Sequence, residues 1–294
     1  MKLFLIVNPV AGKNKGIKTI EQAAPLLEQK GIQFDMARTD YAGHALLIAQ
    51  QLDPSRYDGV IAVGGDGTLF EILNGLLKKH GRFDLPVGQI PVGTGNSFIK
   101  DLGIETVRDA IEKIAAGRTR PIDVGMFKCP DGEYYFINLL GTGFVADVAH
   151  RAVKYKALGP LSYIIGVFEE LVHLRSTAMD MVIDGQTMQR DYIFAEICNS
   201  TKTGGNMIMA PAARIDDGML DVILLKKISR IGLLKIFPTI FKGTHVHDPH
   251  VETFRGKHIE VRPQKTQRLN ADGEVLGHTP IDVSILPAKI NMYC

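Results

Sequence analysis

From residue 3 to about 125 the chain alternates two patterns. Short unbroken apolar runs, Leu3–Val7, Gly59–Val63 and Val87–Pro91, predict strands buried on both faces. Ile32–Arg38 reads as a fourth strand. Between them, apolar residues recur at helical spacing in Ile17–Gln29, Ala42–Leu52, Thr68–Lys79 and Val107–Ala116, with Leu69, Ile72 and Leu76 on one face of the third. Strands and helices in strict alternation predict a parallel sheet covered by helices.

After residue 125 the pattern changes. Asp123–Met126 and Tyr134–Leu140 read as short strands, and Ala146–His173 as a helical region interrupted near Gly159-Pro160. Strands then dominate: Met179–Ile183, Thr187–Cys198, Leu220–Leu225, His258–Pro263 and Ile281–Leu286. The dipeptides Asp184-Gly185, Asp217-Gly218 and Asp272-Gly273 supply turn chemistry between them. The expected fold class is α/β: an N-terminal Rossmann-like parallel-sheet domain over residues 1–125, and a C-terminal, mainly antiparallel β-sandwich domain over residues 126–294. The boundary falls near 120–135, and the last strand is free to return to the first domain.

Composition narrows the function. The 294 residues are 45% hydrophobic and 22% charged, enough apolar content for a full core and against disorder. Lys and Arg total 34 against 32 Asp and Glu, so no basic excess calls for nucleic acid. Cys129, Cys198 and Cys294 are far apart and odd in number, which fits a reducing compartment. Leu3–Val7 is too short for a signal-peptide core, and no run of roughly 18 apolar residues spans a membrane. A cytoplasmic protein is expected. Nothing decides between a monomer and a homodimer.

Three Gly-rich loops follow the buried strands: Asn8-Pro9-Val10-Ala11-Gly12-Lys13, Gly64-Gly65-Asp66-Gly67-Thr68 and Gly93-Thr94-Gly95-Asn96-Ser97. In a parallel sheet the strand C-termini share one edge, so the loops are expected to converge there. Glycines allow close backbone approach, and the following helix N-termini add partial positive charge, an arrangement suited to phosphates. None matches GxxxxGK[ST] or GxGxxG. Asp66 would repel a phosphate unless a cation such as Mg²⁺ intervened; the alternative is a cap for the next helix.

The string Val63-Gly64-Gly65-Asp66-Gly67-Thr68, with Glu71 and Asn74-Gly75, resembles the diacylglycerol kinase catalytic-domain superfamily, which includes sphingosine and ceramide kinases. Asn8-Pro9 with Gly12, Pro91–Asn96, Asp123-Val124-Gly125, Asn138–Val148, Asp216–Asp221 and Asp272-Gly273-Glu274 resemble its further motifs in the same order, so the resemblance runs from residue 3 to about 287. GGDGT alone also occurs in NAD kinases; the ordered set is specific.

The resemblance implies an ATP- and Mg-dependent lipid kinase with nucleotide in an interdomain cleft. It carries nucleotide contacts onto Asn8, Pro9, Val10, Ala11, Gly12, Thr39, Gly64, Gly65, Asp66, Gly67, Thr68, Glu71, Thr94, Gly95 and Asn96. It makes Glu274 the general base, with Asp66 as rival; read without it, Asp272-Gly273 is a hairpin turn beside a solvated Glu. It places a structural Mg²⁺ at Asp217 with the carbonyls of Arg214 and Met219, where the plain reading is a turn. One position departs: bacterial diacylglycerol kinases usually carry Asp after the Asn of the third loop, in a water-and-magnesium network, and this chain has Ser97.

A lipid kinase must meet its acceptor at a membrane surface. Ile231–Phe241 and Leu158–Phe168 mix Leu, Ile and Phe with nearby Lys, either as core-facing helices or as peripheral membrane contacts. His245, His247 and His250 read as a polar surface loop rather than a metal site. The competing functions are an NAD kinase, from the shared GGDGT, and a catalytically silent nucleotide- or lipid-binding regulator.

Overall fold

The apolar run at the N-terminus forms β1 (Lys2–Val7), which lies between β2 (Gln33–Arg38) and β3 (Gly59–Gly64) with both pairings parallel. These are features of a computed structural model that describes residues 1–93, 95–158 and 161–294. Thr94 and the expected break at Gly159-Pro160 lie outside the described residues. The chain divides into two compact units, Met1–Asp123 with Pro287–Cys294, and Val124–Leu286.

In the first unit, the short turn-like α1 (Ala11–Asn14) and helix α2 (Gly16–Gln29) connect β1 to β2. Helix α3 (His44–Gln51) leads to β3, α4 (Asp66–His80) to β4 (Val87–Pro91), and α5 (Val107–Ala116) follows. Every residue of β3 and β4 is buried, as continuous apolar runs require. Helix α3 packs on α4 and α2 on α5. The ends of α4 and α5 follow from sequence. Gly81, at φ +67°, closes α4 by donating to the Leu77 carbonyl at 2.8 Å. Thr106 and Asp109 form a reciprocal capping box at the start of α5.

The second unit begins in the hairpin β5 (Thr119–Cys129) and β6 (Gly132–Phe136) and continues through β7 (Leu139–Gly143), α6 (Phe144–Ala152) and α7 (Leu161–Leu171). Strand β8 (Thr177–Ile183) turns back into β9 (Gln186–Cys198), followed by the small ribbon β10 (Lys202–Thr203) and β11 (Met207–Ile208), then β12 (Leu220–Lys226) and α8 (Arg230–Ile236). The last strands are β13 (Val251–Gly256), β14 (His258–Pro263), β15 (Arg268–Ala271), β16 (Glu274–His278) and β17 (Ile281–Tyr293). The long β9 organises the sheet: its first half pairs with β8, and its second half lies between β7 and β12, all antiparallel. Phe194 and Cys198 of β9 face an apolar core that also contains Phe144, Val148, Val167, Leu233 and Ile236 from α6, α7 and α8.

The structure departs from the sequence reading in four places. Tyr134–Leu140 is two strands, not one, because the Ile137, Asn138 and Leu139 amides turn to the Asp272 carboxylate. Strands β13, β15 and β16 carry too few apolar residues in alternation to be seen in advance. Strand β17 runs well past Leu286; its last residues join the first unit, where Met292 pairs with Val87 of β4 in parallel. Finally, His245 is not in a surface loop. It is buried, with Nε2 against the Met209 carbonyl at 2.9 Å, and burial lowers its pKa.

Candidate active site

The three glycine loops of the first unit converge, and side chains tie them together. Gly12, Lys13 and Asn14 hold three successive left-handed conformations, φ +58°, +64° and +63°. A Cβ on Gly12 would lie 2.8 Å from the Gly93 nitrogen, so the first and third loops meet backbone to backbone and no larger residue fits. Asn8 donates from Nδ2 to the Thr68 hydroxyl at 3.1 Å, joining the first loop to the second. Its Oδ1 accepts the Val10 amide at 3.2 Å.

Gln89 joins the second loop to the third. From the buried strand β4 its Nε2 donates to the Gly64 carbonyl at 3.0 Å and to Asn96 Oδ1 at 3.1 Å. Asn96 in turn donates to the Gly93 carbonyl at 3.1 Å. The sequence reading did not include Gln89. Its signal was one polar residue inside an otherwise apolar buried strand.

Asp66, in the second loop, lies against the third, and a Cβ on Gly95 would be 3.6 Å from its Oδ2. Its Oδ2 accepts the Ser97 amide at 3.0 Å, with further hydrogen bonds from the Ser97 hydroxyl and the Phe98 amide. Its Oδ1 is buried and has no partner among the described residues. Burial pushes the carboxyl up from its ordinary range, against those hydrogen bonds and the nearby charge of Lys100. The capping alternative fails, because Gly65 is the N-cap of α4 and no side chain closes it. A buried, unpartnered carboxylate oxygen among phosphate-sized backbone loops fits a hard cation such as Mg²⁺.

Glu71 and Thr39 serve the neighbouring turn. Both Glu71 oxygens are engaged, one by the Gly43 amide at 2.8 Å and the other by the Ala45 amide at 3.1 Å, which caps the start of α3. The Thr39 amide extends the β1–β2 pairing to the Val7 carbonyl at 2.9 Å. Thr94 lies outside the described residues.

In the second unit, β15 and β16 form a two-residue hairpin in which Ala271 pairs with Glu274. Asp272 and Gly273 take φ +51° and +92°, as the Asp-Gly dipeptide predicts. Asp272 is buried, and its carboxylate accepts the amides of Ile137, Asn138 and Leu139 at 2.9, 2.9 and 3.0 Å. This clamp fixes the turn that presents the exposed Glu274.

The expected Asp217 magnesium site is less favourable. One Asp217 oxygen accepts the Met219 amide at 3.1 Å and the other pairs with Arg255, which also approaches Asp221 at 3.4 Å. A guanidinium already holds the position a cation would take beside Asp217. No cluster of three acidic, His or Cys side chains able to hold a metal exists among the described residues.

Comparison with known proteins agrees with this architecture. The diacylglycerol kinase catalytic domain family matches residues 2–127, and the YegS C-terminal NAD kinase beta sandwich-like domain family matches residues 138–294. The chain therefore belongs to the diacylglycerol kinase family, in its two-domain form. Diacylglycerol kinase of Bacillus subtilis (strain 168) is 32% identical over 280 residues, covering 94% of this chain and 90% of that protein. Sphingosine kinase 1 of Arabidopsis thaliana is 28% identical, covering 94% of this chain and 68% of that protein. A crystal structure from Bacillus anthracis str. Sterne, of a protein assigned as a diacylglycerol kinase, superposes with a TM-score of 0.83 at 26% identity, covering 99% of this chain and 96% of that one. These matches do not favour the NAD kinase or the non-enzymatic reading.

Proposed function

We propose that the protein is an ATP- and Mg-dependent lipid kinase that transfers the γ-phosphoryl group to a lipid hydroxyl, with diacylglycerol the first acceptor to test. The observation that carries this reading is the convergence of the three glycine loops on one another, with the unpartnered Asp66 oxygen between the second and third. The loop amides of Gly12, of residues 65–67 and of residues 95–96 bind and orient the triphosphate. Asp66 holds the magnesium, which when bound neutralises charge developing on the phosphoryl oxygens. Glu274 accepts the proton of the acceptor hydroxyl as its oxygen bonds to phosphorus and the ADP oxygen leaves.

The second unit supports a lipid acceptor. The helices α6, α7 and α8 pack with β9 around an apolar interior lined among others by Phe144, Val148, Phe194, Met207 and Phe237, with a cavity of about 30 Å³ that holds about one water and no acyl chain. Leu161, Phe168 and Val172 on and after α7 are exposed, as are Ile231 and Leu234 on α8 and Phe241 after it. Exposed large apolar groups on helices of mixed polarity suit peripheral contact with a membrane by a cytoplasmic protein. No helix among the described residues is long and apolar enough to cross a membrane.

The test is phosphoryl transfer from labelled ATP with Mg²⁺ to diacylglycerol, monoacylglycerol, ceramide, sphingosine and undecaprenol in mixed micelles, with NAD as soluble control. Label in one lipid, absent with Glu274→Gln, is the expected result. Label in NAD alone overturns the reading.

A further inference from the structure

Five segments of the second unit converge on a polar cavity that the reaction above does not use. Helix α6 supplies Asp147, the stretch after α7 supplies His173 and Arg175, the β14–β15 connection supplies Lys265, and β15 and β16 supply Arg268 and His278. The cavity holds about 250 Å³, several times the roughly 30 Å³ share of one water. A second cavity of about 330 Å³ shares Asp147, Glu170, His173, Arg175 and Arg268 with it and adds Arg151 and Lys154.

Charge here is unbalanced. Five permanent cations line the two cavities, Arg151, Lys154, Arg175, Lys265 and Arg268, against two carboxylates, Asp147 and Glu170. Both carboxylates are already matched: Glu170 is buried and paired with Arg151 at 2.9 Å, and Asp147 is paired with Arg268 at 3.2 Å. These pairs form a fixed floor. Arg175 is near enough to act on the Asp147 carboxyl, yet it and Lys154 and Lys265 make no ion pair among the described residues. All three are exposed and reach the cavities from different segments. Three histidines, His150, His173 and His278, stand beside them, the last held by Asp131 at 3.2 Å. Several cations around a concave polar pocket are the complement of a compact phosphate-ester anion, and Arg forks match its oxygens in pairs.

We propose that this cavity is a phosphate-binding subsite of the second unit, distinct from the glycine loops, that takes the phosphate ester of a lipid headgroup or of a soluble metabolite. Lys154, Arg175 and Lys265 bind the phosphate oxygens. Arg151 and Arg268, held by Glu170 and Asp147, fix the walls.

The test uses the full chain and an Arg175→Ala/Lys265→Ala variant. A second variant, Lys257→Ala/Arg262→Ala, removes the same charge from other exposed positions of the unit. Each is titrated calorimetrically with glycerol 3-phosphate and sedimented with phosphatidylcholine vesicles with and without phosphatidylglycerol. The cavity variant is expected to weaken one of these by about ten-fold or more, as loss of charge-assisted hydrogen bonds implies, while the control variant binds as wild type. Loss confined to glycerol 3-phosphate makes the ligand a soluble ester; loss confined to the anionic vesicles makes it a lipid headgroup. Phosphate binding at the glycine loops is common to all three proteins and cancels in the comparison. Equal binding by wild type and cavity variant, or equal losses in both variants, overturns the proposal. Thermal midpoints check folding, and Arg175→Gln/Lys265→Gln replaces the first variant if its midpoint falls.

Discussion

The Ser97 amide donates to Asp66 Oδ2 at 3.0 Å, so the one position where the third loop departs from the bacterial pattern is bonded directly to the acid of GGDGT. Ser97 contributes its hydroxyl as well. At the position where the resemblance leads one to expect a second carboxylate, the Ser97 hydroxyl instead donates to the first. Ser97→Asp keeps the main-chain amide but replaces the hydroxyl donor by a like charge beside a buried acid. The variant is expected to lose about 1–3 kcal/mol of stability without metal and to regain much of it on adding Mg²⁺. Thermal melts with and without Mg²⁺ measure this; a midpoint equal to wild type in both would remove Ser97 from the network.

Glu274 and Asp66 compete for the role of base, and their surroundings separate them. Glu274 is exposed on a hairpin, so Glu274→Gln is expected to leave the melting midpoint almost unchanged while lowering kcat by about 100-fold or more. Asp66→Asn is expected to lower turnover comparably but also to weaken Mg²⁺ dependence. If Glu274→Gln keeps near wild-type kcat, the base is elsewhere.

The Asp272 clamp predicts a stability effect. Asp272→Ala leaves three buried backbone amides without an acceptor, at a cost of about 3 kcal/mol or more. Because the same clamp orients the turn before Glu274, kcat is expected to fall as well. Chemical denaturation of Asp272→Ala and of Asp272→Asn, which keeps one acceptor oxygen, gives the comparison, and equal midpoints for wild type and both variants would sink it.

Glu196 predicts a pH dependence. It lies on β9 between Phe194 and Cys198, is buried in the apolar core, and its Oε2 has no partner among the described residues. Burial raises its pKa from 4.5 to about 8. The folded chain therefore keeps a proton that the unfolded chain has released, and stability falls as pH rises from about 4.5 to about 8. Of the titratable groups around it, Tyr163 and Cys198 stay neutral across this window, their pKa values raised by burial. Buried His245 acts with the opposite sign, losing stability as pH falls. Glu196→Gln isolates the carboxyl. The variant is expected to match wild type near pH 5 and to exceed it above pH 8, by up to several kcal/mol. Parallel stability curves for the two proteins would show that Glu196 does not titrate this way.

Much of the first unit was legible because its signals are local. Leu3–Val7, Gly59–Val63 and Val87–Pro91 are apolar runs of strand length, and the loops after them are glycine-rich by necessity, as the contact of Gly12 with Gly93 makes plain. What escaped detection depends on distant partners. Nothing in Ile137-Asn138 announces a strand break until Asp272, more than 130 residues later, takes its amides. Strand β13 alternates Val251, Thr253 and Arg255 with polar and aromatic residues, and only β12 beside it makes the segment a strand. Gln89 is one polar residue in an apolar run, and only its two hydrogen bonds, which connect loops far apart in sequence, show its role.

The return of β17 bears on how the chain is made. The first unit is closed by residues 287–294: Met292 lies alongside Val87, and Tyr293 is so close to Gly59 that a Cβ there would lie 2.5 Å from its hydroxyl. During synthesis, residues 1–123 emerge first yet lack this strand until residue 293 has left the ribosome. Contacts so distant along the chain form late and slow folding. Until then the flank of β4 is an open strand edge, exposed to pairing with other strands until the second unit has been translated.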